Sequence, residues 1–182
     1  MRRLTTRNSV LAAFAALTLT LALSSCKQST KNTAQPVAEP VETLASTVHM
    51  ADPKTAAQLL RGFYPVEGNA WRWSAGKFAV VLRPPAGAAQ GGGKLVVKFV
   101  IPDSVLGRTK AMALSGSIGG IALTPETYDK AGEQTYARDV PSSALAGDRV
   151  VAEFALDKFL PAGAVEQREL GIVVNSIGLE SK

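Results

Sequence analysis

Short runs of β-branched and aromatic residues, each closed by glycine, proline or aspartate, recur from residue 77 to the end of the chain. They constrain its fold more than any other feature. Residues 77–82 read KFAVVL and stop at Arg83-Pro84-Pro85; after a Gly/Ala-rich loop to Gly93, residues 94–102 read KLVVKFVIP. Both have the composition of strands and the punctuation of turns. Residues 109–118 and 121–123 flank Gly119-Gly120, a hairpin-like turn, and residues 134–140, 149–156 and 170–179 supply three more strands. In residues 149–156, Val150, Ala152, Phe154 and Leu156 share one face while Arg149, Val151, Glu153 and Ala155 share the other, so one face is buried and the other mixed. About seven or eight short strands, with no helix of crossover length between them, predict an all-β fold, a single antiparallel β-sandwich. One short N-terminal helix is expected after Ala51: Asp52 caps it, Pro53 suits its first position and Gly62 stops it. No internal repeat of about 20–50 residues is present, which excludes propellers and solenoids.

The first residues carry a different message. Residues 1–7 hold three arginines and no acid, and residues 10–23 are apolar apart from Thr18 and Thr20. The apolar run falls short of the roughly 20 residues a membrane-spanning helix needs, and it follows a charged leader as an export signal does. It ends in Leu23-Ser24-Ser25-Cys26, which closely resembles the lipobox read by bacterial lipoprotein signal peptidase. That resemblance implies cleavage before Cys26, a diacylglyceryl group on its sulfur and, usually, a further acyl chain such as palmitate on the new amino group. Two or three acyl chains anchor a protein to a membrane durably, where one does not. Lys27 after the cysteine, in place of an acid, is similar to an outer-membrane signal, so the expected location is the periplasmic face of the outer membrane.

Residues 1–25 are therefore expected to be signal peptide, and 26–50 a lipidated cysteine with a flexible tether. Residues 27–47, rich in Ser, Thr, Pro, Gln and Ala and without an aromatic, bury too little apolar surface to offset their ordering entropy. Residues 51–182 form the β-domain, long enough at about 130 residues for one core. Removing Arg2, Arg3 and Arg7 with the signal lowers the formal charge from +5 to +2, too small an excess for a nucleic-acid partner. Cys26 is the only cysteine, so no disulfide or cysteine metal site is available to the domain.

Two segments, GFYPVEGNAWRWS at 62–74 and RELGIVVNSIGL at 168–179, together resemble a galactose-binding-like jelly-roll domain of bacterial envelope and glycan-related proteins, similar to a carbohydrate-binding module. The resemblance covers residues 60–180 and implies architecture more than activity, since such sandwiches include sugar binders, protein binders and spacers.

The densest set of candidate binding residues is Tyr64, Glu67, Trp71, Arg72 and Trp73, beside Phe63, with Arg168 and Glu169 ahead of the last strand. Exposed indoles beside a carboxylate and a guanidinium are what sugar recognition uses: ring faces stack on C–H-rich pyranose faces and charged groups bond hydroxyls. The weightier reading is structural. Strand alternation puts Trp71 and Trp73 on one side and Arg72 on the other, which fits core tryptophans with Glu67 and Arg72 paired. Tyr136 reads as packing and Asp139 as solvated. The glycines of SGSIGG lack the dinucleotide fingerprint, and Gly91-Gly92-Gly93 lacks the Lys-Ser/Thr of a phosphate loop. His49, the only histidine, lies in the expected tether, which argues against a histidine triad or a multi-histidine zinc site. The carboxylates Asp103, Glu126, Asp129, Glu133, Asp139, Asp148, Glu153 and Asp157 have no EF-hand spacing and read as solvated, with calcium and glycosidase roles as minor alternatives. The expectation is a non-catalytic, cofactor-free module whose partner is a glycan or an envelope protein complex onto which it docks.

Overall fold

The computed structural model describes residues 43–182. The export signal, Cys26 and most of the expected tether lie outside the described residues. Nine strands follow in order: β1 (Thr47–His49), β2 (Leu59–Glu67), β3 (Trp71–Leu82), β4 (Gly93–Ile101), β5 (Met112–Ile118), β6 (Ile121–Tyr128), β7 (Gly132–Val140), β8 (Val150–Leu156) and β9 (Val173–Ser181). All pairings are antiparallel, in the order β6-β5-β8-β3-β9-β4-β7, with β1 added to β9 and β2 to β3. The all-β antiparallel class is therefore as expected. The layers of the sandwich are parts of one sheet that curls until its end strands, β6 and β7, meet.

Burial explains the curl. In β8 the burial of Val150, Ala152, Phe154 and Leu156 follows the alternation of the sequence, and in β4 Leu95, Val97, Phe99 and Ile101 do the same. A sheet with one apolar face must cover it, and here the two halves cover each other: the Phe99 ring of β4 meets Tyr128 of β6 edge-on at 5.2 Å. Among the described residues no backbone ladder joins β6 to β7. Side chains do so instead: the Tyr136 hydroxyl donates to Thr124 O at 3.0 Å, the Tyr128 hydroxyl to Thr135 O at 3.3 Å, and Arg138 Nε to Thr124 O at 2.7 Å. Pro125, which has no N–H for a ladder, sits in β6 on this seam.

The N-terminal part departs from expectation in three ways. The expected helix is a 3₁₀ turn, Pro53–Gln58, capped by Asp52, whose side chain accepts from Lys54 N at 2.9 Å. It ends early because the buried Gln58 amide is held by Ala45 N at 2.8 Å, Ala45 O at 3.0 Å and Val81 O at 2.7 Å, which turns Leu59 and Leu60 into strand. Gly62 is then no helix stop; it lies inside β2 among the register shifts of its pairing with β3. The folded unit also begins before residue 51, because β1 pairs with β9 and buries Val48 and Met50. Three further short helical segments were not expected, the α-helices Ala88–Gly91 and Asp103–Thr109 and the 3₁₀ turn Ser142–Ala144. No helix among the described residues is long and apolar enough to cross a membrane.

Candidate functional site

Two cross-strand rows build the site. In the first, Trp73 of β3 lies opposite Val173 of β9, Val173 opposite Val100 of β4, and Val100 opposite Glu133 of β7. In the second, His49 of β1 lies opposite Ser176 of β9, Ser176 opposite Lys98 of β4, and Lys98 opposite Thr135 of β7. Between them β9 carries an extra residue, Asn175, where its register with β4 shifts. That bulge keeps Val174 and Ile177 in the core while Val173 and Ser176, three residues apart, both face the groove. One side of the groove is thus apolar and the other polar.

The rows floor an open groove of about 890 Å³. Trp71 and Glu67 rise at its β3 end, where β2 and β3 are joined by the turn Gly68-Asn69-Ala70. Gly68 has a φ of 57°, and a Cβ there would collide with the Trp71 ring, so the missing side chain is what lets the indole lie over the turn. Trp71 is 36% exposed, while Trp73 is half-buried and packs against the core.

The candidates named from sequence divide. Glu67, Trp71 and Trp73 line the groove. Arg168 bears on it through Glu67: its NH1 donates to Glu67 Oε1 at 2.9 Å, its Nε to Glu166 Oε1 at 2.6 Å, and its guanidinium sits 5.0 Å from the Tyr64 ring centroid. Hydrogen bonds to Glu166 and then Glu67 raise the Arg168 pKa above its ordinary value. Tyr64 is therefore a platform for Arg168. Arg72 points the other way and donates to Met50 O at 2.9 Å and Tyr64 O at 3.0 Å, so the expected Glu67–Arg72 pair does not form. Glu67 is taken by Arg168 because alternation carries Arg72 to the opposite side of β3. Glu169 accepts from Gly76 N at 3.2 Å.

His49 is not a tether residue; it belongs to β1 and edges the groove. Lys98, Val100, Val173, Asn175 and Ser176 were missed as site residues, and Glu133, read as a solvated carboxylate, lines the groove. A signal for part of this set was available: Asn175-Ser176, set between Val174 and Ile177, breaks the two-residue period of the last strand. Most of the other carboxylates are occupied structurally. Glu126 pairs with Arg138 at 2.8 Å, Asp139 with Lys182 at 3.1 Å and Glu153 with Arg61, and Asp157 accepts from Ala113 N at 2.6 Å. Tyr136 is fully buried. No group of metal-ligating side chains is gathered among the described residues.

No family model matches the chain, and no curated protein matches it.

Proposed function

We infer that this chain is a non-catalytic lipoprotein of the cell envelope, anchored through acyl chains on Cys26, whose β-domain binds a glycan in the groove of Trp71 and Trp73. One observation carries the reading: an apolar row, Trp73-Val173-Val100, runs beside a polar row, His49-Ser176-Lys98. A pyranose has the matching division, an apolar C–H face and a rim of hydroxyls. The jelly-roll resemblance of residues 60–180 points the same way, and Lys27 favours the periplasmic face of the outer membrane. A binding role fits better than a glycosidase. Glu67 is held in an ion pair with Arg168 and stands four strand pairings from Glu133, an arrangement unlike two free carboxyl groups flanking one bond.

The test is intrinsic tryptophan fluorescence of the full chain in a detergent without a sugar headgroup, titrated with envelope polysaccharides under acrylamide quenching. Ligand protection of part of the emission, lost in Trp71→Ala, is the expected result. Emission that no glycan protects would favour the rival reading, docking onto an envelope protein complex.

A further inference from the structure

The charges around the groove narrow the glycan, and the argument rests on the glycan reading. Glu67, His49, Lys98 and Glu133 are its ionisable side chains. Glu67 is held by Arg168, whose guanidinium also pairs with Glu166, and so is engaged before any ligand arrives. Lys98 and Glu133 stand on neighbouring strands with opposite charge, Lys98 opposite Thr135 and Glu133 two residues away opposite Val100. Along the floor, then, one cation and one anion stand side by side, with neither sign in excess. A ligand with net charge would lose hydration over Trp73, Val173 and Val100, and its attraction to one of Lys98 and Glu133 would be opposed by repulsion from the other.

The register supplies a second constraint. The first row crosses four adjacent strands, three steps of about 4.8 Å, which makes the floor roughly 14 Å long and longer than one sugar ring. We propose that the groove takes an uncharged oligosaccharide of about three sugar units, lying across the strands from Trp71 and Trp73 to Lys98 and Glu133. Ring faces rest on the apolar row. Lys98 donates to hydroxyls and Glu133 accepts from them, with Asn175 and Ser176 beside them.

The experiment titrates the full chain with three oligosaccharide series of one to four units: neutral N-acetylglucosamine, acidic galacturonate and cationic glucosamine, each at low and high salt. Affinity for the neutral series should rise about tenfold or more from one unit to three and then level off, with little salt dependence, since no net charge is neutralised on binding. Trp71→Ala and Val100→Asp should each weaken it about tenfold, with urea midpoints showing that both variants fold. Lys98→Glu should move preference toward the cationic series. Tighter, salt-sensitive binding of a charged series by the unaltered chain, still dependent on Trp71, overturns the uncharged ligand and leaves the glycan reading standing. A monosaccharide that binds as well as the trimer overturns the extended site. Failure of all three series, with emission unchanged, removes the glycan reading together with this inference.

Discussion

Single side chains decide how the groove is shaped. Gly62 has a φ of 76°, and a Cβ there would collide with the Lys77 carbonyl and lie 2.7 Å from Phe78 Cα, both backbone atoms that cannot step aside. Gly62→Ala is expected to lower stability by about 3 kcal/mol or more, read from the urea midpoint. Gly68→Ala meets only the Trp71 ring and should cost about 1–2 kcal/mol for its left-handed backbone while shifting Trp71 emission, a change absent from Gly62→Ala molecules that remain folded. Arg168 is a positioning residue. Its pair with Glu67 is partly exposed, at 31% and 40%, so Arg168→Met should change stability by only about 0–1 kcal/mol. It should nevertheless weaken neutral-glycan binding several-fold, because Glu67 is left uncompensated at the rim, and Glu67→Gln in the same chain should restore part of the loss.

The strands show the same economy at the seam. β6 and β7 are held by Tyr128, Tyr136 and Arg138 in place of a ladder. Burial raises the Tyr128 phenol well above its ordinary value, and the Glu126 carboxylate adds to the rise; burial also raises Tyr136, with Arg138 pulling the other way. Both shifts favour the neutral phenol in the folded state. Their contribution is fully present below about pH 10, the unfolded tyrosine value, and is lost as pH rises through the folded values. The urea midpoint should hold steady from neutral pH to about 9.5 and fall above 10. Tyr128→Phe should lose about 1 kcal/mol at neutral pH, one hydrogen bond, yet show a shallower alkaline fall. An equal alkaline slope in both proteins would mean that Tyr128 does not carry the effect.

The described residues enter the sheet through β1, beside β9. Leu179 N donates to Ser46 O at 2.8 Å, and the near row of the groove, His49 and Ser176, begins three residues away along β1 and β9, roughly 10 Å. On the proposed reading, Cys26→Ala should abolish acylation, seen as lost palmitate labelling and release from membranes, while changing glycan affinity less than about twofold, because the groove is lined by residues of the β-domain. Loss of binding along with the anchor would instead make the acylated N-terminus part of the site.

The strands β3, β4, β7 and β8 were legible from residues 77–82, 94–102, 134–140 and 149–156, and for β8 the buried face as well, because composition, alternation and turn residues are local properties of the chain. The Gly119-Gly120 hairpin was legible for the same reason. β1 was not: three residues are too few to show a period, and Thr47–His49 become a strand only because β9 offers an edge. The helix ending at Gly62 was misplaced because a distant contact, Gln58 with Val81 O, outweighs local capping. At the site, Glu67, Trp71 and Trp73 could be picked from one short segment, but their partners lie on β1, β4, β7 and β9. Residue types and alternation are written along the chain; which rows lie side by side is set by pairing between distant strands, and the groove exists only in that register.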